Sequence, residues 1–189
     1  MPLVLLNKPF RVMCQFTDDR DRATLRDFVS QRQVYPAGRL DFDSEGLLAL
    51  TDDGRLQARI AHPRRRLKKT YWAQVEGDPT QDQLASLRQG VALKDGPARA
   101  VSARRIDEPS ALWPRTPPIR ERKSVPDAWI EVVLDQGRNR QVRRMTAAVG
   151  LPTLRLIRAA IGPFGLDGLA PGQTRVLSNA EAWRTLDKR

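Results

Sequence analysis

Apolar and polar positions along the chain fall into short blocks of changing period. Leu3–Leu6 is an unbroken apolar run closed by Asn7-Lys8-Pro9, the pattern of a short buried strand. Thr24 precedes Leu25, Phe28 and Val29, a spacing that predicts a helix capped by the threonine with one apolar stripe. Val34–Ala37 reads as extended, because Pro36 biases Tyr35 away from helix. Leu47–Thr51 predicts another strand, stopped by Asp52-Asp53-Gly54, and a short helix follows over Arg55–Ala61. Thr70–Glu76 alternates and is rich in aromatic and β-branched residues, as strands are.

Further along, Thr80-Gln81-Asp82-Gln83 has capping-box spacing before a helix bearing Leu84 and Leu87, and Gly90 ends it. Strands are expected at Val91–Leu93, Ala98–Ile106 and Trp129–Leu134, with a proline-rich loop or hinge over Pro109–Pro126. Gly137 leads into a helix over Asn139–Val149, with Val142, Met145 and Val149 facing the core. Leu154–Ile161 is extended, Gly162–Gly172 is turn, and Ser178-Asn179-Ala180-Glu181 caps a last helix. Many strands with interspersed short helices, and no regular β-α alternation, indicate an α+β fold.

Composition narrows the chemistry. Among 189 residues there is one histidine, His62, and one cysteine, Cys14, so no internal disulfide and no multi-imidazole or multi-thiolate metal site can form. No glycine-rich phosphate cradle of the nucleotide-binding kinds is present. An enzyme built from this chain would work with a carboxylate, a tyrosine or a basic side chain. No apolar run approaches the roughly 20 residues of a membrane span, and no basic leader precedes Leu3, so a soluble cytoplasmic protein is expected.

Charge then points to a partner. The net +11 falls entirely after residue 60; basic and acidic residues balance before it. Most of the basic residues are arginines, clustered at Arg64–Lys69 and Arg138–Arg144. Guanidinium groups fork onto phosphates and stack on bases, which favours RNA over a membrane surface. The plainer reading is a solvated arginine-rich surface. It is weaker for the clusters, where like charges repel without an anion.

The richest segment is Gly38-Arg39-Leu40-Asp41-Phe42-Asp43-Ser44-Glu45-Gly46. Alternating carboxylates before a glycine invite a calcium loop, but the twelfth position would be Asp52 rather than glutamate, and both flanks read as strand or turn. The other reading makes Asp41 a reactive carboxylate between two strands, competent as nucleophile or base when ionised and rigidly held.

This segment, continued through Leu47-Leu48-Ala49-Leu50-Thr51-Asp52-Asp53-Gly54, closely resembles the signature of the bacterial rRNA pseudouridine synthases. Asn7-Lys8-Pro9 resembles the family's opening motif. His62-Pro63 with Lys69-Thr70-Tyr71 resembles its second, and Gly137–Met145 its third. Leu156-Ile157-Arg158, Ile161-Gly162-Pro163 and Gly172–Leu177 are similar to its closing strands. Many members carry a small RNA-binding module ahead of the opening strand; this chain begins at that strand, so none is expected.

The resemblance implies a pseudouridine synthase fold: a mixed, largely antiparallel central sheet flanked by short helices, with the catalytic cleft across it. One catalytic domain over 1–189 is expected, with subdomains of roughly 1–64 and 65–189. The implied activity is isomerisation of a uridine in large-subunit ribosomal RNA by a cytoplasmic monomer needing no metal, nucleotide or redox cofactor. By matching position, Asp41 is the catalytic carboxylate, acting on the anomeric carbon or on the neighbouring ribose proton. Arg143 is the arginine that keeps it charged, and Tyr71 stacks on the target base; the alternative for Tyr71 is an ordinary half-buried strand aromatic. Arg39 helps expel the uridine or holds a phosphate, its alternative being a surface partner of Asp43. Arg138, Arg140 and Arg144 are expected RNA contacts, as is Lys69 within a second basic run. The competing function is a non-catalytic rRNA-binding or ribosome-assembly protein, which would not need Asp41.

Overall fold

The computed structural model describes residues 1–119 and 125–188. In chain order the elements are β1 (Pro2–Lys8), β2 (Tyr35–Pro36), β3 (Glu45–Thr51), α1 (Gly54–Ala61), β4 (Lys69–Glu76), α2 (Gln81–Gln89), β5 (Val91–Leu93) and β6 (Gly96–Ala98). There follow β7 (Ser102–Ile106), β8 (Asp127–Leu134), α3 (Gln141–Ala148), β9 (Thr153–Ile161), β10 (Phe164–Gly165), β11 (Thr174–Ser178) and α4 (Asn179–Asp187). Among the described residues no helix is long and apolar enough to cross a membrane.

Contacts divide the chain into two compact units, one of 1–67 with 158–189 and one of 68–157. In the first, β1 pairs antiparallel with both β3 and β11, and β2 adds to β3 through Tyr35↔Thr51 and Pro36↔Leu50. Every residue of β3 is buried, as an apolar strand covered on both faces requires. Val4, Leu6, Leu48 and Leu50 share one face and pack with Leu25, Val29, Val34 and Leu40. The helix expected after Thr24 is only a three-residue 3-10 turn, Leu25–Asp27. Thr24 caps Arg26 and Asp27 bonds back to Thr24, but the apolar stripe stops at Val29, leaving too little buried face to extend a helix.

In the second unit, β8 lies between β4 and β7, antiparallel to both. Ala73, Val75, Ile130, Val132 and Leu134 form its core with Leu84 and Leu87 of α2 and with Val142 and Met145 of α3, the face expected for that helix. The capping box at Thr80 forms as read: Thr80 Oγ1 accepts from the Gln83 amide and the Gln83 side chain accepts from the Thr80 amide. The run read as one strand over Ala98–Ile106 is broken into β6 and β7, because Ala100 and Val101 donate instead to the carbonyls of Leu87 and Val133. Residues 109–119, 125 and 126 form no regular element; residues 120–124 of the expected proline-rich loop lie outside the described residues.

Candidate active site

In the first unit the segment between β2 and β3 presents Asp41. It is fastened at each step. The Ala37 amide bonds the Ala49 carbonyl at 2.8 Å, and Leu40 is buried in the core. Asp41 is half-buried; its carbonyl accepts from the Ser44 amide at 3.1 Å, closing a turn, and the Phe42 carbonyl accepts from the Arg11 amide at 2.9 Å. The Arg22 guanidinium lies over the Phe42 ring, 5.8 Å from its centroid. Arg39 is exposed. Glu45 begins β3 and is buried, so strand starts where a calcium loop would continue.

Beneath this turn the unit buries charge. Lys8 is 0% exposed, and its Nζ donates to the carbonyls of Pro9 and Val12, both at 2.9 Å. Burial lowers its pKa from 10.5 to about 8, offset in part by electrostatic attraction to Cys14, Glu45 and Asp43, while Arg158 lowers it further. Arg158, 4% exposed on β9, donates from Nε to the Leu47 carbonyl at 2.8 Å and from Nη1 to the Arg39 carbonyl at 3.4 Å. Neither Lys8 nor Arg158 stood out as a site residue in the sequence. The available signal was a charged residue inside an apolar run, which must find partners once the strand is buried.

The second unit carries the other expected residues. Lys69 opens β4, and Tyr71 stands on it opposite Val132 of β8, half-buried against the apolar core. The segment leading into α3 is wound tightly: the Arg138 amide bonds Gln141 Oε1 at 3.0 Å, and Arg140 adopts a left-handed conformation at φ 46°. Arg140 is exposed. Arg143 donates from Nη1 to the Thr153 carbonyl at 3.2 Å. Arg138 donates to the carbonyls of Gly96 at 3.1 Å and Pro97 at 2.8 Å, and Arg144 is paired with Asp95. The structure thus gives Arg138 and Arg144 protein partners on the β5–β6 hairpin, and leaves Arg39 and Arg140 at the surface of their respective units. Among the described residues no cluster of three or more His, Cys, Asp or Glu side chains is placed to hold a metal ion.

Comparison with known proteins adds identity to this geometry. Residues 2–148 match the family model described as RNA pseudouridylate synthase. The chain is 60% identical over 176 residues to the ribosomal large subunit pseudouridine synthase E of Xanthomonas campestris, across 92% of this chain and 94% of that protein. To the protein of the same name from Vibrio vulnificus it is 49% identical over 176 residues, across 93% of this chain and 75% of the relative. A crystal structure of a pseudouridylate synthase superposes with a TM-score of 0.78 at 27% identity, covering 98% of this chain and 74% of that one. An H/ACA RNP bound to a substrate RNA containing 2'-deoxyuridine shares the fold at a TM-score of 0.59 and 14% identity, over 90% of this chain and 50% of that one.

Proposed function

Because the chain belongs to the RNA pseudouridylate synthase family, we propose that it isomerises a uridine of large-subunit ribosomal RNA with Asp41 as the catalytic carboxylate. The choice of substrate is supported by the names of the relatives at 60% and 49% identity. A ribosomal RNA substrate supports a cytoplasmic enzyme. In the reaction the bond from uracil N1 to ribose C1′ breaks, the base turns, and C5 bonds to C1′. The hydrogen lost from C5 is matched by one gained at N1, so the product is an isomer of the substrate.

The observation that carries the reading is the way Asp41 is held. A half-buried carboxylate sits on a turn whose backbone is bonded on both sides, which suits an atom that must meet C1′ or a ribose proton within a few tenths of an ångström. A uridine in folded RNA reaches such a group only by swinging out of its stack, at a cost of a few kcal/mol. Phosphate contacts offset that cost, and exposed Arg39 and Arg140, with Lys69, are assigned to them. Tyr71 is assigned to the target base and Arg143 to keeping the carboxylate ionised, both from the family pattern. Arg138 and Arg144 shape the β5–β6 hairpin in the free enzyme.

The test is Asp41→Asn, which keeps the shape and removes the charge. The expected outcome is loss of pseudouridine with RNA affinity retained. Product at the wild-type rate from that variant would end the assignment of catalysis to Asp41.

A further inference from the structure

We infer that Arg158 is a positioning residue for the reaction, a guanidinium that ties together the two ends of the loop carrying Asp41; this rests on the reading of Asp41 as the catalytic carboxylate. The geometry is specific. Nη1 reaches the Arg39 carbonyl, ahead of Asp41, and Nε reaches the Leu47 carbonyl, beyond it. The backbone of the same residue meets the same loop: a Cβ on Gly46 would lie 2.4 Å from the Arg158 carbonyl oxygen. Side chain and main chain of one residue therefore fix both ends of a segment whose middle is closed by the Ser44 amide on the Asp41 carbonyl.

The residue type fits the task and little else. A planar fork can serve two carbonyls at once, where a lysine ammonium on a flexible stem is a single point of attachment. Packing alone would be met better by an apolar side chain, since a buried guanidinium is costly to desolvate and Arg158 keeps Nη2 buried without a bond. A charged, incompletely satisfied group in a strand interior is the kind of local expense found where structure serves chemistry.

The test compares Arg158→Lys and Arg158→Met with Asp41→Asn, measuring single-turnover rate at saturating rRNA fragment, RNA affinity and Tm, each well below the variant's own Tm. A displacement of about 1 Å at a reacting group lowers rates about a hundredfold, so Arg158→Lys is expected to lose about that much single-turnover rate with RNA affinity unchanged. A folded Arg158→Lys enzyme running at the wild-type rate overturns the inference. So does a loss of rate and RNA affinity together, in proportion to unfolded protein. Should neither variant fold, amide exchange in the wild-type enzyme decides: Ser44 is expected to be protected like the amides of β3, and exchange at the open-chain rate overturns the tie. Product from Asp41→Asn removes the reading of Asp41 itself, whereas an inactive Asp41→Asn beside a full-rate Arg158→Lys removes only the tie.

Discussion

The Asp95 carboxylate receives both terminal nitrogens of Arg144, Nη1 at 2.7 Å and Nη2 at 3.1 Å. Asp95 stands at the turn between β5 and β6, and Arg138 grips the same hairpin through the carbonyls of Gly96 and Pro97. Two arginines of one motif thus act as fasteners from α3 and the loop before it. A phosphate would meet Arg144 in the same two-pronged geometry that Asp95 uses, so an RNA that used Arg144 would have to displace Asp95 from it. Asp95 in turn has its carboxyl pKa lowered by that guanidinium.

Replacing Asp95 by Asn should release Arg144 to RNA. The pair is solvent-exposed, so stability should change little. Affinity for an rRNA fragment should rise at low salt, and the slope of log affinity against log salt should steepen by about one. Arg140→Ala should move the slope the other way by about one. Binding titrations over a salt series check both. Parallel lines for all three proteins would mean that neither guanidinium reaches a phosphate.

Gly46 and Gly38 flank the Asp41 turn and both have positive φ, +103° and +87°, yet they should not be equally replaceable. Alanine at position 38 meets no atom within 4 Å, so it should cost only the backbone strain, about 1–2 kcal/mol. Alanine at position 46 adds a clash with the backbone of Arg158 that no rotamer relieves, about 1–3 kcal/mol more. Denaturant unfolding of the two variants should therefore show a clearly larger loss for Gly46→Ala. Equal losses would show that β3 and β9 can part at no cost.

Where local chemistry decides an element, the sequence was sufficient. The capping boxes at Thr80 and Ser178 and the alternation of Thr70–Glu76 appear as α2, α4 and β4 in the structure, and the α+β pseudouridine synthase fold is borne out by the solved relative. Elements decided by distant partners were misread. The break between β6 and β7 comes from carbonyls on Leu87 and Val133, which no window around Ala100 contains. The same limit applied to the site. Asp41 is singled out in the sequence because its neighbours form a dense local pattern, and the structure holds its turn by the bonds of Ser44, Ala37 and Arg11. The partners of Arg138, Arg144 and Arg158 are far along the chain, so sequence displayed their charge without its use.

Asp53 joins two helices of the first unit. Its Oδ1 accepts from the amides of Arg55 at 2.8 Å and Leu56 at 3.2 Å, capping α1, and its Oδ2 accepts from Asn179 of α4 at 2.7 Å. Those bonds lower its pKa, the Asn179 contact foremost. A depressed carboxylate stabilises above its unfolded pKa, near 4, and loses that contribution as pH falls through the folded value. Asp53→Ala should cost about 1–2 kcal/mol at neutral pH, with a smaller difference from wild type in acid. Thermal melts at pH 7 and pH 3 would show it. A difference that did not shrink in acid would assign the loss to packing.

Lys8 gives a pH dependence of the same sign in alkali, from a buried cation rather than a bonded anion. Its ammonium is wholly buried, with a folded pKa of about 8 against an ordinary 10.5. Below pH 8 both folded and unfolded chains hold the proton, and the folded state bears the full cost of burying the charge. Between about 8 and 10.5 only the unfolded chain holds it, so raising the pH favours folding, by up to about 3 kcal/mol across the window. Lys8→Met has no such proton to lose. It also leaves the Pro9 and Val12 carbonyls without their donor, a penalty of about 1–3 kcal/mol that does not vary with pH. Denaturant midpoints from pH 7 to 10.5 should therefore show wild type gaining on the variant through that window. Curves that stay parallel would mean that Lys8 keeps its proton when folded, and that the carboxylates near it, Glu45 and Asp43, outweigh its desolvation.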